Sequence, residues 1–422
     1  MALTSGSHVP ATDTLKVDLQ HVVYALSDAL DLVGVDDVAH GKRVGVMAAA
    51  CGEAIGLGKH ETEFLFDLGM LHDIGVSSTR THQNLVAEFD WVGSMEHCEV
   101  GYALLHSFEP LARMALPIRL HHTRWDALVG QGVDTDVALH ANLIHLVDRV
   151  DALIAQYAAE GAVLLRAAPV RKQIEAHAGT HFSPLLVEAF MRASAAEAFW
   201  LQLDRRCIQA QLMERLEVRE SRRTSIHELK HLANIFARIV DAKSHFTAEH
   251  SIGVAALGRW LAERMGLNEA NCEKIEIAGL LHDVGKLRVP DEILDKPAPL
   301  DDRERQIIRT HSFETYVILH AIRGFEEIAQ WAAYHHEEPD GTGYPFRLQG
   351  SQLPLEARIL RVADIFQALA QDRPYRQGLD ARIILANLQD LVARRLVDPN
   401  VVAMVASDLD GAMAAARPSK RH

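Results

Sequence analysis

The feature that most constrains the fold is an internal repeat of histidine and aspartate residues. Two His-Asp and two His-His dipeptides occur in the chain, one of each in either half. Successive landmarks are separated by 32, 25, 24 and 26 residues in the first half, and by 32, 29, 24 and 28 in the second. The first set is His40, His72, Asp73, His97, His121, His122 and Asp148, and the second is His250, His282, Asp283, His311, His335, His336 and Asp364. The repeat predicts two copies of one domain, each about 170 residues long.

The hydrophobic pattern predicts an all-α fold. Apolar residues recur every three or four positions through most of the chain, whereas alternating, strand-like runs are scarce. We expect two tandem helical domains joined by a helical connector. The first domain is placed at residues 17–197, the connector at 198–229, the second domain at 230–405 and a frayed tail at 406–422. An apolar stripe that begins at Leu229 either packs within the second domain or pairs with a second chain.

Composition and charge exclude several classes of function. With 48% apolar and 24% charged residues, the chain has the composition of an ordinary soluble protein. A net charge of −14 repels polyanions, so a nucleic-acid polymer is not an expected partner. The four cysteines show no C-x-x-C spacing, which fits a reducing compartment without disulfides. Neither a secretory signal nor a run of ~18 apolar residues occurs, so we expect a cytoplasmic protein without a membrane span.

The repeated residues are of the types that bind metal ions. Neutral imidazoles and carboxylates together suit Fe, Mn, Zn, Co or Ni. Five histidines and two carboxylates in each copy are enough for two ions, and an Asp beside a His can bridge them. Ions held ~3.5–4 Å apart in this way are suited to hydrolysis at phosphorus. His121 and His335 are either ligands or side chains that orient ligands.

The second half also resembles a known family. The resemblance is carried by the segments HSIGV, LLHDVGKLRVPDEIL, HHEEPDGTGYP and ADIFQALAQDRPYR. They make residues 240–400 similar to the HD-GYP family of bacterial cyclic-dinucleotide phosphodiesterases, which belongs to the HD-domain metal phosphohydrolases. The resemblance implies an all-helical, metal-dependent domain that hydrolyses cyclic di-GMP to linear pGpG and in some cases to GMP. It also implies a role in bacterial signal transduction and a cluster of two or three iron or manganese ions.

The same resemblance implies roles for individual residues. Asp283 would bridge two ions, one held by His250, His282 and Asp364 and the other by His311, His335 and His336. Lys286 matches the lysine beside the scissile phosphate, where its ammonium would act with Asp283 in catalysis. Contacts with the substrate are implied for Lys286, Gly343, Tyr344, Arg373 and Arg376. Phe246 stands where three-metal members carry a glutamate, so we expect two ions in this domain.

The first half resembles the same superfamily but departs from the HD-GYP pattern. Val76 replaces the lysine, no Gly-Tyr-Pro follows the His-His pair, and Tyr157 and Glu160 replace the two arginines. We interpret this copy as a degenerate HD-GYP-like domain with a regulatory or dimerising role. The alternative is a second phosphohydrolase with a different substrate. Its histidines and aspartates are intact, so the question whether the first domain binds a further metal ion stays open.

Other readings of the whole chain stay open at this point. Cyclic GMP-AMP is an alternative substrate, because metal ions and side chains that bind the phosphates do not distinguish between the bases. A cyclic-dinucleotide sensor that binds without cutting is an alternative of another class, although the complete ligand set and Lys286 argue against it. The family also leaves room for a homodimer and for contacts of signalling proteins with the loop Gly341–Pro345.

Overall fold

The computed structural model describes residues 17–34, 39–87, 92–218, 224–243, 249–372 and 377–417. Within these ranges the chain folds into helices and contains no β-strand, which confirms the predicted all-α class. None of the described helices is both long enough and apolar enough to cross a bilayer. Three of the predicted residues, Phe246, Arg373 and Arg376, lie outside the described ranges.

The helices follow the repeat of the sequence. Those of the first copy are α1 (Leu19–Asp31), α2 (His40–Ala54), α3 (Lys59–Leu71), α4 (Thr79–Ala87), α5 (Met95–Leu105), α6 (Ala112–Leu120), α7 (Trp125–Gly130), α8 (Thr135–Ala159), α9 (Leu164–Ala176) and α10 (Pro184–Ala193). Two further helices follow, α11 (Glu197–Leu201) and α12 (Arg205–Val218). Those of the second copy are α13 (Ile226–Lys243), α14 (His250–Arg264), α15 (Glu269–Leu281), α16 (Asp291–Leu294), α17 (Asp302–His320), α18 (Glu326–Ala333), α19 (Leu355–Ala370), α20 (Ala381–Ala393), α21 (Pro399–Ser407) and α22 (Leu409–Ala416).

A glycine after each His-Asp pair brings two helices of each copy together. A Cβ atom on Gly285 would lie 2.1 Å from the carbonyl oxygen of His311, and one on Gly75 would lie 2.0 Å from that of His97. Only a residue without a side chain fits at either position. The glycines therefore let the turn after α15 approach α17, and the turn after α3 approach α5.

The helix α13 settles the position of the apolar stripe that follows the connector. It begins at Ile226, inside the predicted connector, and packs against α14 and α15. The stripe is buried there, with Leu229, Phe236 and Ile239 no more than 3% exposed. It therefore packs within the second copy and is not left free for a second chain.

Helix α1 and the end of α13 join the two copies. Helix α1 packs against α17 and against the 3₁₀ turn Val284–Arg288 of the second copy. The ammonium of Lys243, at the end of α13, is fully buried and lies 3.1 Å from a carboxylate oxygen of Asp291. It also donates hydrogen bonds to Thr79 Oγ1 and to the carbonyl oxygen of Ser77. The two copies thus share a packed interface at which the buried Lys243 of the second copy donates hydrogen bonds to the first.

The prediction of a frayed tail from residue 406 is wrong for its first half. Helix α22 packs against α14, and its Ala412 and Ala416 are buried. The Asp408 side chain caps the helix by accepting a hydrogen bond from the Gly411 amide. Small apolar side chains let this helix sit close to α14, a packing contact that composition alone does not reveal.

Candidate metal centre

Three helices and two turns bring the landmarks of the second copy together. His250 is the first residue of α14, and the His282–Asp283 pair follows directly after α15. His311 lies in α17 and Asp364 lies in α19. The remaining pair, His335 and His336, forms the 3₁₀ turn after α18. The potential metal ligands thus lie in helices and short turns that are packed in the core, rather than on long loops.

Asp283 lies at the centre of this group. Its Oδ1 atom is 3.4 Å from Nε2 of His311 and 3.8 Å from Nε2 of His335. Its Oδ2 atom is 3.2 Å from Nε2 of His282 and 3.8 Å from Nε2 of His250. One carboxylate therefore faces two groups of histidines, one through each oxygen.

The outer residues complete the two groups. Asp364 Oδ1 lies 3.2 Å from Nε2 of His250. On the other side, His336 joins His311 and His335 in a cluster of potential metal ligands. The structure thus brings together all seven predicted ligands of the second copy.

Hydrogen bonding to the ring nitrogens indicates that a cation belongs between them. The Nδ1 atoms of His311 and His335 each lie 2.6 Å from a backbone carbonyl oxygen, so Nδ1 carries the proton. The unprotonated Nε2 atoms of these two rings then face each other at 3.3 Å. Two lone pairs at this distance repel unless a cation lies between them. The side chains present therefore fit a divalent metal ion.

Unpartnered buried atoms support the same fit. Asp283 Oδ1 and His282 Nε2 are buried and have no hydrogen-bond partner among the described residues. Such atoms carry a desolvation cost unless something binds them. Burial also lowers the pKa of His311 to about 4 and that of His335 to about 3, which keeps both imidazoles neutral and able to bind a metal.

Lys286 contacts the central carboxylate directly. Its Nζ atom donates a hydrogen bond of 2.5 Å to Asp283 Oδ2. Burial opposes the charge of the ammonium, but Asp283 outweighs it, and the pKa of Lys286 is raised above its ordinary value. The lysine thus stays charged at the edge of the histidine cluster.

The Gly-Tyr-Pro segment forms part of the wall of the site. The Tyr344 ring stacks on His336, with 4.7 Å between ring centroids and 24° between planes. The guanidinium of Arg309 lies 4.3 Å from the centroid of the Tyr344 ring. A Cβ atom on Gly343 would lie 2.3 Å from the Glu338 backbone nitrogen, so this glycine is needed for the loop to pack. Tyr344 therefore lies at the predicted site, and Gly343 supports it.

A buried carboxylate that sequence reasoning missed holds this loop in place. Glu337 is 1% exposed and accepts hydrogen bonds from the backbone amides of Phe346, Arg347 and Leu348, at 2.6, 3.2 and 2.9 Å. Its neighbour in sequence, Glu338, is partly exposed. Nothing in the sequence distinguishes the two glutamates, because only the path of the loop buries one of them.

The first copy assembles its seven landmarks in the same way. His97 Nε2 lies 3.3 Å from Asp73 Oδ1 and 3.4 Å from Nε2 of His121. His40 Nε2 lies 3.5 Å from Asp148 Oδ1. Asp73 Oδ1 is buried without a hydrogen-bond partner among the described residues, as is its counterpart in the second copy. The arrangement of the potential metal ligands is therefore retained in the first copy.

The residues that support His40 and His250 differ between the copies. Nδ1 of His40 lies 2.8 Å from a carboxylate oxygen of Asp151, which is also bound by Arg43. The counterpart of Asp151 is Gln367, whose Oε1 accepts a hydrogen bond of 2.5 Å from Nδ1 of His250. Sequence reasoning missed both, and only alignment of the two copies three residues beyond the last landmark could have found them.

The two copies also differ beside Asp148 and Asp364 and at the position of Lys286. Arg149 donates a hydrogen bond of 2.8 Å to Asp148, whereas Ile365 follows the corresponding Asp364. Val76, at the position of Lys286, is 3% exposed and packs in the core. At the position of the lysine the first copy thus has no ammonium, and a guanidinium already engages one of its carboxylates.

Comparison with known proteins places these features in a family. A family profile described as HD domain matches residues 234–401. The chain is 35% identical over 394 residues to the 3′3′-cGAMP-specific phosphodiesterase 1 of Vibrio cholerae, with 92% of this chain and 91% of that protein covered. It is 36% identical over 188 residues to the cyclic di-GMP phosphodiesterase response regulator RpfG of Xanthomonas campestris, with 44% and 48% covered.

A solved structure shares the fold. It is the crystal structure of a cyclic GMP-AMP specific phosphodiesterase of V. cholerae, with a TM-score of 0.63 and 24% identity, and the match covers 93% of this chain and 98% of that one. The HD-domain match, the relative that spans both copies and the shared fold lead to one conclusion. The chain belongs to the HD-GYP family of cyclic-dinucleotide phosphodiesterases, metal-dependent hydrolases of the HD superfamily.

Proposed function

We propose that residues 230–405 hydrolyse a 3′,5′-phosphodiester bond of cyclic di-GMP and release linear pGpG. The observation that carries this proposal is the position of Asp283 between two groups of histidines, with Lys286 on the same carboxylate. Relatives named as cyclic di-GMP phosphodiesterases match between 32% and 44% of this chain. Continued hydrolysis to GMP stays a prediction.

The second copy would hold two divalent ions, iron or manganese by family resemblance. One would be held by His250, His282 and Asp364, the other by His311, His335 and His336, with Asp283 between them. Ions bound there polarise phosphoryl oxygens and lower the pKa of water. The count of two rests on Phe246, which lies outside the described residues.

The chain's own residues would bind and orient the substrate. The Lys286 ammonium, held at Asp283 in the free protein, is placed to hold a phosphoryl oxygen and to stabilise the charge that develops on it. The Tyr344 ring, stacked on His336, offers a flat apolar surface at the edge of the histidine cluster. Arg373 and Arg376 are proposed as phosphate contacts from family resemblance.

A second candidate substrate is 3′3′-cGAMP. It is favoured by a specific observation, because the relative that matches both copies of this chain is named as specific for that dinucleotide. The His, Asp and Lys side chains of the site would contact phosphate and not the bases, so they accommodate either substrate. Base preference therefore depends on residues outside the metal cluster.

The first copy is proposed as a regulatory or dimerising domain. Val76 supplies no charge where the second copy has Lys286, so a substrate phosphate would find no ammonium there. Location in the cytoplasm, a homodimer and contacts of signalling proteins with the Gly341–Pro345 loop stay predictions.

The test is an assay for linear product with the purified full-length chain. Cyclic di-GMP and 3′3′-cGAMP are supplied separately with added Mn²⁺ or Fe²⁺, and the products are resolved by ion-exchange chromatography. Linear pGpG supports the proposal, and product from 3′3′-cGAMP alone supports the second candidate. Binding of either dinucleotide without any product would overturn hydrolysis in favour of a sensor. The variant Asp283→Ala serves as the inactive control.

A further inference from the structure

A cysteine lies inside the histidine cluster of the first copy. Cys98 follows His97 in α5 and is completely buried. Its Sγ atom lies 3.7 Å from His97 Nε2. It lies 3.6 Å from His121 Nδ1, which donates to the Ile118 carbonyl oxygen and so leaves Nε2 as the metal-binding atom of that ring. Together with His122, these residues offer four potential metal-binding atoms, all within 4.8 Å of one another. The cluster therefore has three nitrogen donors and one sulfur donor.

The second copy lacks the sulfur donor. The residue after His311 is Ser312, whose hydroxyl oxygen lies 3.2 Å from His311 Nε2. The corresponding cluster there has three donors, His311, His335 and His336. A neutral hydroxyl is a weak ligand beside a thiolate. The two copies thus differ by one strong ligand at the same place in the fold.

We propose that the first copy holds a borderline-soft divalent ion such as Zn²⁺ in a closed site made of His97, Cys98, His121 and His122. Four protein donors of this kind complete the tetrahedral shell of a structural zinc ion, whereas catalytic sites keep a position open for water. The thiol proton leaves to solvent as the ion binds, because the thiolate is the ligand.

This site gives the first copy a role that does not depend on the substrate of the second. An ion with a complete protein shell offers no position to a phosphate, so it stabilises the domain without hydrolysing anything. Asp73, whose Oδ1 atom is buried and lies 3.3 Å from His97 Nε2, is not one of the four donors. The inference goes beyond the proposed function and does not rest on it.

The test measures sulfur ligation in the full-length chain. X-ray absorption at the zinc edge of the Zn²⁺-loaded wild-type protein should show a sulfur shell at about 2.3 Å. Replacement of zinc with Co²⁺ should add a sulfur-to-cobalt charge-transfer band in the near ultraviolet. Absence of both signals in the wild-type chain would overturn the site without reference to any variant.

Two reciprocal variants assign the signal to one residue. Cys98→Ser places the second copy's residue in the first and should remove the cobalt band together with about one bound ion per chain. Ser312→Cys places a thiol in the second copy and should increase the band. The control is Cys207→Ser, which removes a cysteine that is partly exposed and far along the chain, and it should leave the band unchanged. A band that survives Cys98→Ser, or disappears in Cys207→Ser, would contradict the proposal.

Discussion

At the scale of single residues, the site depends on one carboxylate that faces both groups of histidines. Asp283 presents Oδ1 to His311 and His335, and Oδ2 to His282 and Lys286. No neighbouring side chain could replace it, because each of its oxygens faces different partners. Its loss would affect both proposed ions and the lysine at once.

We expect Asp283→Ala to lower the turnover number by about 10³-fold or more, because the proposed ions lose their shared ligand. Turnover and metal content are measured on the same preparation, with circular dichroism to check the fold. The matched control is Asp73→Ala in the first copy, which should keep hydrolysis measurable. Wild-type turnover and metal content in Asp283→Ala would contradict the assignment, and loss of hydrolysis in a folded Asp73→Ala would contradict the division of roles.

Lys286→Met should lower kcat by about 10²-fold while leaving the metal content unchanged, because the ammonium is proposed to stabilise charge on the phosphate. Methionine keeps the length of the side chain. The control, Arg288→Met, removes a neighbouring cation that pairs with Glu314 at the surface, and it should retain near wild-type activity. An unchanged kcat in Lys286→Met would exclude the lysine from the reaction.

The sequence predicted the landmark residues better than the residues that support them. Spacing alone grouped His250 with His282, because in both copies the first landmark begins one helix and the second follows the next helix 32 residues later. The role of Gln367 could be found only by aligning the two copies, and that of Glu337 could not be predicted, since a buried and an exposed carboxylate are identical in sequence. Their burial results from the packing of α14 on α19 and from the path of the Gly-Tyr-Pro loop. The local sequence pattern thus predicts the potential metal ligands, whereas tertiary contacts determine which side chains orient those ligands.

At the scale of elements, the Gly-Tyr-Pro loop is held by one side chain. Glu337 binds three consecutive backbone amides, of Phe346, Arg347 and Leu348, with its two oxygens. A glutamine can accept at only one oxygen, so one or two buried amides would lose their partner. The loop and the stacked Tyr344 ring would then no longer be fixed.

Glu337→Gln should therefore destabilise the protein by about 1–3 kcal/mol and raise KM more than it lowers kcat. Urea unfolding and steady-state kinetics provide the two measurements. Glu327→Gln removes a surface carboxylate that pairs with Lys274, and it should change the free energy of unfolding by less than about 0.5 kcal/mol. Equal stability of the two variants would show that the three amide contacts do not hold the loop.

At the scale of the whole molecule, the Lys243–Asp291 ion pair of the second copy makes hydrogen bonds to the first copy. Lys243 at the end of α13 contacts Asp291 of α16, while Ser78 of the first copy donates to the same carboxylate. The Lys243 side chain is fully buried, so its removal leaves polar groups at the interface without their donor.

We expect Lys243→Met to destabilise the chain by about 1–3 kcal/mol and to make the segment between the copies more sensitive to limited proteolysis. Lys230→Met is the matched control, because Lys230 lies on the same helix and pairs with Glu276 at a partly exposed position. Its free energy of unfolding should lie within about 0.5 kcal/mol of the wild-type value. The same unfolding free energy for both variants would indicate that the contacts of Lys243 do not hold the two copies together.

The packing of α1 against the turn Val284–Arg288 has a thermodynamic consequence. That turn carries Lys286, so a ligand of the first copy that shifts α1 also changes the free energy of substrate binding in the second. Linkage makes this effect reciprocal, and the substrate must change the affinity of that ligand by the same factor. A shift of α1 on ligand binding would thereby couple the half of the chain without the lysine to the half that has it.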